Sequence, residues 1–298
     1  MINVQNLREK VITRSIQISG YSSILFVLLI LIFLLAEGLP VFGDVPLVKL
    51  FSTRWYPIES YYGILPLIIG TLVVTLVAAL IAVPFGILTA IFLSEIAPKW
   101  LREVLKPFVE ILAGLPSVLL GFLGILVVSP FLRRFLNLPT GLTAFTGSLL
   151  LGGIAIPTIV SIAEDALNNV PQSYRQAAIA LGATRWQTIW GITVPAARPG
   201  IMTAVMLGIG RAMGETMTVM MVTGNAPVMP DSFQAIFLPI RTMTATIASE
   251  MGEVASGSPH YHVLFFIGIV IFTFSLIVNI VASSISGRHA TRQERILS

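Results

Sequence analysis

The chain has no cysteine, which excludes disulfides, iron–sulfur clusters and thiolate catalysis. It has three histidines, at 260, 262 and 289, which leaves little for a metal site. Charge is also scarce. Asp, Glu, Lys and Arg make up 11% of the 298 residues, against roughly 25% in ordinary globular domains. So few charges cannot cover a soluble surface, and they also exclude a disordered chain, which is polar and charged. The net charge is +4, yet there is no long basic run suited to nucleic acid. Instead, 55% of the residues are apolar, and mean hydropathy is +0.90.

The length would allow one large or two ordinary soluble domains at roughly 100–200 residues each, but the hydropathy points to the membrane. A bilayer core of ~30 Å needs about 20 apolar residues as helix. Charge-free stretches of that length occupy residues 15–36, 60–94, 111–132, 135–163 and 254–287. A sixth, about 199–223, is apolar but holds Arg211 and Glu215. The expectation is an all-α membrane protein with six transmembrane helices. Arg8, Lys10 and Arg14 precede the first run and Ala36-Glu37-Gly38 follows it, as in a signal peptide. The run exceeds the roughly 7–15 residues of a signal h-region, so it reads as an anchor.

Lysine and arginine set the orientation. With the N-terminus inside, the inner segments hold twelve of the eighteen basic residues: Arg8, Lys10, Arg14; Lys99, Arg102, Lys106; Arg175, Arg185, Arg198; Arg288, Arg292, Arg295. The outer loops hold Lys49, Arg54, Arg133, Arg134 and Arg241. Both termini are therefore expected in the cytoplasm. Pro66, Pro84, Pro116 and Pro157 fall within spans, where neighbouring helices and Ser/Thr groups satisfy the freed carbonyls. Kinks around a pathway and ordinary helix packing both explain them. Gly121–Gly124 and Gly152-Gly153 read as places where helices approach closely.

The inner segment 164–198 does not read as a loop. Pro171 suits a first helical turn, and Gln172–Leu181 favours helix. Gly182 stands where a left-handed helix end belongs. Thr184-Arg185-Trp186-Gln187 reads as a capping box opening a second short helix. That helix presents Trp186, Ile189 and Trp190 and is expected to end at Pro195. On these residues alone, docking a partner and packing on the protein's own spans explain the hairpin equally well.

The stretch Gln176-Ala177-Ala178, then Gly182, then Ile192-Thr193-Val194-Pro195 resembles the EAA loop of ABC importer permeases. The family pattern is E-A-A, three residues, G, nine residues, I-x-L-P, and the spacings match throughout. Gln176 stands for the usual Glu and Val194 for Leu. The resemblance implies that 171–195 is a coupling hairpin seated in an ATP-hydrolysing subunit, with Gln176, Ala177, Ala178, Gly182, Trp186 and Pro195 carrying the contact. Gln176 removes a charge that family members bring to that interface. The chain has no G-x-x-x-x-G-K-[ST] phosphate loop, so ATP and Mg are expected in a separate partner ATPase and this chain is expected to hold no cofactor.

Ionisable groups within a span are costly, by roughly 2.5–3.5 kcal/mol or more each at mid-depth. Arg211 and Glu215 are four residues apart and would share one face of a continuous helix, with Thr218 on the same face. One reading is an ion pair that locks neighbouring helices. The other is a transport pathway lined by a guanidinium, which grips an oxyanion with two parallel N–H···O bonds. Six methionines at 202, 206, 213, 217, 220 and 221 read as adaptable packing.

Gly210-Arg211-Ala212-Met213-Gly214-Glu215-Thr216, followed by Val222-Thr223-Gly224-Asn225, is similar to the fifth-span motif of phosphate permeases. Glu110–Val118 resembles them as well. The resemblance covers about 62–283 and implies a type I ABC importer (MetI-like) transmembrane domain in which Arg211 and Glu215 are functional. It implies a prokaryotic inner membrane, a second permease subunit, two ATPase subunits and an external phosphate-binding protein, with inorganic phosphate as cargo. Sulfate and molybdate are tetrahedral oxyanions that residue chemistry does not separate from phosphate.

In the outer segment 225–260, Pro239 is expected to open a helix. Its face carries Ile240, Met243, Ile247, Met251 and Val254, with Arg241, Glu250 and Glu253 toward water. His260 and His262 read as surface residues. The expected organisation is an inner segment 1–16, a first span and outer loop 17–62, the transmembrane domain 63–287 and an inner tail 288–298. A secondary transporter would need internal repeats, and a membrane-embedded enzyme would need a nucleophile, metal cluster or paired acids at membrane depth. Neither pattern is present.

Overall fold

The computed structural model describes the backbone of residues 4–297 and the side chains of residue 9 and residues 11–281. The side chains of Arg8, Lys10, Arg288, His289, Arg292 and Arg295 lie outside the described residues. Six helices among the described residues are long and apolar enough to cross a membrane, in the expected order.

The first helix, α1, runs Val4–Gly38. Its segment 24–36 is apolar all round and largely exposed, as a lipid-facing helix must be. Among the described residues it packs chiefly on the last span, where Phe33 meets Phe265 edge-on at 5.4 Å. The outer loop that follows contains two one-turn helices and a two-residue ribbon, β1 (Trp55–Tyr56) against β2 (Tyr61–Tyr62). The ribbon went unread in the sequence because it is too short to show alternation.

Helix α2 (Leu65–Ile91) continues through a wide π turn, Phe92–Ile96. Helix α3 (Lys99–Ala113) lies apart from the third span and stops at Gly114–Pro116. That span is α4 (Ser117–Leu123), a π turn and α5 (Ser129–Phe135). It therefore starts six residues later than the charge-free run, after a break in the chain. Helix α6 (Ala144–Asn168) is the fourth span and the most buried. The core of the half nearer the hairpin joins α2, α6 and the fifth span through Ala82, Ile159, Leu167 and Ile201. The core of the opposite half gathers Leu50, Trp55, Leu67, Met243 and Leu264. At the expected close approaches, a Cβ on Gly121 would meet Met221 Sδ at 2.7 Å, while Gly153 has nothing within 4 Å.

The hairpin comprises α7 (Gln172–Ala180) and α8 (Arg185–Thr188). Gly182 has φ +84°, and the Gly182 and Ala183 amides donate back to Ile179 and Ala178, closing a Schellman motif. The Thr184–Gln187 capping box is complete. Pro195 does not end this helix. A π turn, Ile189–Thr193, leads straight into α9 (Val194–Gly214), with Pro195 in its first turn. The wide turn absorbs the donor that proline lacks. One helical rod thus runs from Arg185 to Gly214, about 45 Å at 1.5 Å per residue.

Beyond it lie α10 (Met217–Val222), α11 (Met243–Glu250) and α12 (Pro259–Leu297). Helix α11 starts at its Thr242 cap, three residues after Pro239. The hydroxyl of Thr242 accepts from the Ala245 amide, which fixes the start better than a proline that leaves the first N–H groups uncapped.

Candidate functional site: two broken helices and an exposed hairpin

The fifth span is not a continuous helix around its two charges. It ends at Gly214. Glu215 is extended, with φ −68° and ψ 129°, and α10 restarts after Thr216. Arg211 and Glu215 therefore do not share a helical face, and they form no ion pair among the described residues. Each is satisfied by a helix terminus instead. Arg211 lies in the last turn of α9, where the dipole favours a cation. Its Nη2 donates to the Ala113 carbonyl at the end of α3, 2.8 Å away. Its Nη1 donates to Thr158 Oγ1 at 2.9 Å, beside Pro157 in α6. Glu215 Oε1 accepts from the Thr216 and Thr218 amides at 3.1 and 3.3 Å, so the carboxylate caps α10 at its positive end.

The two chain breaks, 114–116 and 215–216, are stapled to each other. Thr218 Oγ1 donates to the Ser117 carbonyl at 2.8 Å, and Thr218 is fully buried. Thr218 thus holds α10 against α4 and does not present its hydroxyl to an opening. Thr244 Oγ1 donates to the Glu215 carbonyl at 3.2 Å, tying the outer segment to the same break. Broken backbone of this kind persists in a membrane only where protein or a polar cavity satisfies it. Arg211 itself remains exposed. Thr158, Ala113 and Thr244 carried no signal of their own in the sequence, although Pro157 and Pro116 marked the places.

On the hairpin, Leu181, Ile179, Trp186 and Trp190 are exposed, with Leu181 at 89%. Gln176, Ala177, Gly182 and Pro195 are exposed as well. Ala178 and Ile189 turn inward, so Ile189 belongs to the core and not to the presented face. The hairpin is anchored by Arg175, which donates to Glu95 Oε1 at 2.7 Å and to the Leu167 and Val170 carbonyls. The Arg185 guanidinium donates to the Glu95 carbonyl. Lys106 bridges the buried Glu164 at 3.3 Å and Asp165 at 3.4 Å. Burial opposes its charge, but those two carboxylates outweigh burial and raise its pKa.

At the other end, Arg241 and Glu250 do not face water. Glu250 is 17% exposed, pairs with Arg241 and contacts His260 Nε2 at 2.8 Å. Trp55 Nε1 donates to it at 3.2 Å. His260 belongs to this half-buried cluster and is not a free surface residue. His262 contacts Asp44 at 2.6 Å. The cluster forms because the first outer loop folds over α11, a contact that helical periodicity does not register.

The family model described as binding-protein-dependent transport system inner membrane component matches residues 82–291. The probable ABC transporter permease protein YqgH of Bacillus subtilis strain 168 is 43% identical over 264 residues, covering 87% of this chain and 84% of that protein. The phosphate transport system permease protein PstC of Xylella fastidiosa strain 9a5c is 35% identical over 251 residues, covering 78% of this chain and 76% of its own. PstC of Mesorhizobium japonicum is 36% identical over 250 residues, covering 78% and 75%. Among solved structures, the MetNI methionine ABC transporter in an inward-facing conformation aligns with TM-score 0.58 and 19% identity over 74% of this chain and 92% of that one. A bacterial ABC transporter involved in the import of the acidic polysaccharide alginate aligns with TM-score 0.57 and 17% identity over 93% and 98%. The fold is accordingly the MetI-like one, and the chain is a transport component and not an enzyme. It belongs to the inner membrane components of binding-protein-dependent transport systems, the permease subunits of ABC importers, which work with a partner permease and an ATPase.

Proposed function

We infer that this chain is a permease subunit of an ATP-driven phosphate importer. The inference is supported by its likeness to proteins named phosphate transport permeases, at 33–36% identity over 250–252 residues for several of them. The observation that carries the mechanism is the single helical rod from the hairpin to Arg211. Both termini and the hairpin face the cytoplasm. The exposed Trp186, Leu181 and Gln176 seat in one of two ATPase subunits, which bind ATP and Mg. A second permease subunit faces Arg211, and an external phosphate-binding protein delivers the anion.

Movement of the hairpin on ATP binding displaces the rod along its length. Arg211 then shifts against Ala113 and Thr158, two acceptors on different helices. Exchanging a neutral acceptor for a phosphate oxygen strengthens the guanidinium's bonds, because the acceptor becomes charged. Arg211 is thus a guide for the anion. Glu215 caps α10 close by, and its charge discourages a dianion from settling permanently.

The test is uptake in proteoliposomes holding the chain with its co-purified partners, ATP inside with the ATPase, and an external binding protein loaded with labelled phosphate or sulfate. ATP-dependent phosphate uptake that Arg211→Gln abolishes, with the complex still assembled, supports the reading. Uptake without ATP overturns the class. Uptake of sulfate in place of phosphate moves the cargo to another oxyanion, and unimpaired uptake by Arg211→Gln reduces Arg211 to a structural tie.

A further inference from the structure

Beneath the hairpin, where α2 and α6 end, lies an open cavity of about 610 Å³ lined by Glu95, Arg102, Arg175 and Arg185. Its charges do not balance. The one carboxylate, Glu95, is taken by Arg175 at 2.7 Å, and Arg175 spends its other bonds on Val170 and Leu167. Arg102 and Arg185 each turn one Nη2 onto a main-chain carbonyl, and those carbonyls belong to consecutive residues, Ser94 and Glu95. Two guanidiniums are thereby anchored to consecutive carbonyls, and neither forms a salt bridge among the described residues. Nε of Arg102 is buried without a hydrogen-bond partner. Like charges so placed repel each other, and a buried, unmatched donor adds its own cost.

An oxyanion with several acceptor oxygens removes both penalties. The free edges of two anchored guanidiniums suit a phosphate group, which each grips through parallel N–H···O bonds. We propose that this cavity is a phosphate-group site on the hairpin side of the membrane, separate from the Arg211 pathway. Its ligand is either the headgroup of an anionic phospholipid or free inorganic phosphate released after transport. The cavity opens where two spans end, and Trp100, two residues before Arg102 on α3, is 66% exposed, as tryptophan is at the headgroup level. A ligand there bridges the end of α2 to the hairpin and so bears directly on the element that moves.

This site rests on the hairpin facing the cytoplasm. That point is tested separately, because the chain has no cysteine: a single Leu181→Cys is labelled by an impermeant maleimide only from the hairpin side. For the site itself, the whole complex is purified and placed in nanodiscs of phosphatidylcholine, with or without phosphatidylglycerol. Thermal unfolding is then followed across a titration of inorganic phosphate. The wild type is compared with Arg102→Gln/Arg185→Gln and with Arg102→Lys/Arg185→Lys. Phosphate held by the ATPase or the pathway is common to all three and cancels.

Stabilisation by phosphatidylglycerol alone assigns a lipid site, and saturable stabilisation by phosphate in phosphatidylcholine assigns free phosphate. Either way the glutamine pair should weaken the response at least tenfold and the lysine pair by less. Equal responses in wild type and the glutamine pair overturn the proposal. So does loss of the ATPase from the glutamine pair with no ligand response in the wild type, since the pocket would then receive an ATPase carboxylate.

Discussion

The guanidinium of Arg211 donates across 2.8 Å to the carbonyl of Ala113, joining the end of α9 to the end of α3. Both helices stop there, so a cation sits on two negative helix termini at once. Its second bond reaches Thr158 on a third helix. The arrangement explains how a charge survives in an apolar span without a carboxylate. Lysine carries the charge but not the fork. Arg211→Lys should therefore lose uptake by about 10- to 100-fold, the worth of a hydrogen bond to a charged group, while Thr158→Val should lose less. Uptake assays on assembled complexes check both, and equal losses would deny the fork a role.

Glu215 separates two roles that the sequence merges. As a cap, it needs only an acceptor oxygen; as a repeller of dianions, it needs its charge. Glu215→Gln should keep α10 in place and alter uptake or basal ATP hydrolysis. Glu215→Ala should also loosen α10, by about 1 kcal/mol, the usual cost of a lost cap. Hydrogen exchange at residues 216–222 reads the cap, and transport reads the charge. If Glu215→Gln leaves both transport rate and basal ATP hydrolysis unchanged, the charge has no function.

Much of this molecule was legible in its sequence. Five charge-free runs and a sixth carrying only Arg211 and Glu215 marked six spans, because lipid tolerates few charges. The hairpin was legible because Gly182 and Thr184 carry local backbone signals. The break at Glu215 was not. Gly214, Glu215 and Thr216 lie in an apolar run whose periodicity continues through them, and what interrupts the helix is a tertiary exchange of partners with Ala113 and Ser117. Pro195 misled for the opposite reason, since a local breaker was absorbed by a π turn. Arg241 and Glu250 looked solvent-facing because the loop that covers them, around Trp55, is distant in sequence.

Arg175 and Glu95 tie the hairpin to the end of α2, each only 12% exposed. Arg175→Gln and Glu95→Gln should each uncouple ATP hydrolysis from uptake, lowering phosphate moved per ATP several-fold while the ATPase stays bound. The two changes act on one contact, so the double variant should be little worse than either single one. Additive losses would mean the residues work separately.

Glu250 gives the cluster around Trp55 and Arg241 a pH dependence with a definite sign. Burial pushes its pKa up, but hydrogen bonds from His260 and Trp55 and the charge of Arg241 outweigh burial and hold it below the ordinary 4.5. A carboxylate depressed on folding stabilises the folded state above its unfolded pKa and loses that contribution as pH falls through the folded value. Thermal stability of the purified complex should therefore hold from neutral pH down to about the ordinary carboxylate range and decline below it. Glu250→Gln keeps the shape and removes the charge. It should lower the neutral plateau by about 1–3 kcal/mol and shrink the acid decline, because the step that protonation takes has already been taken. An acid limb of unchanged size in Glu250→Gln would place the titration elsewhere and leave the cluster as packing alone.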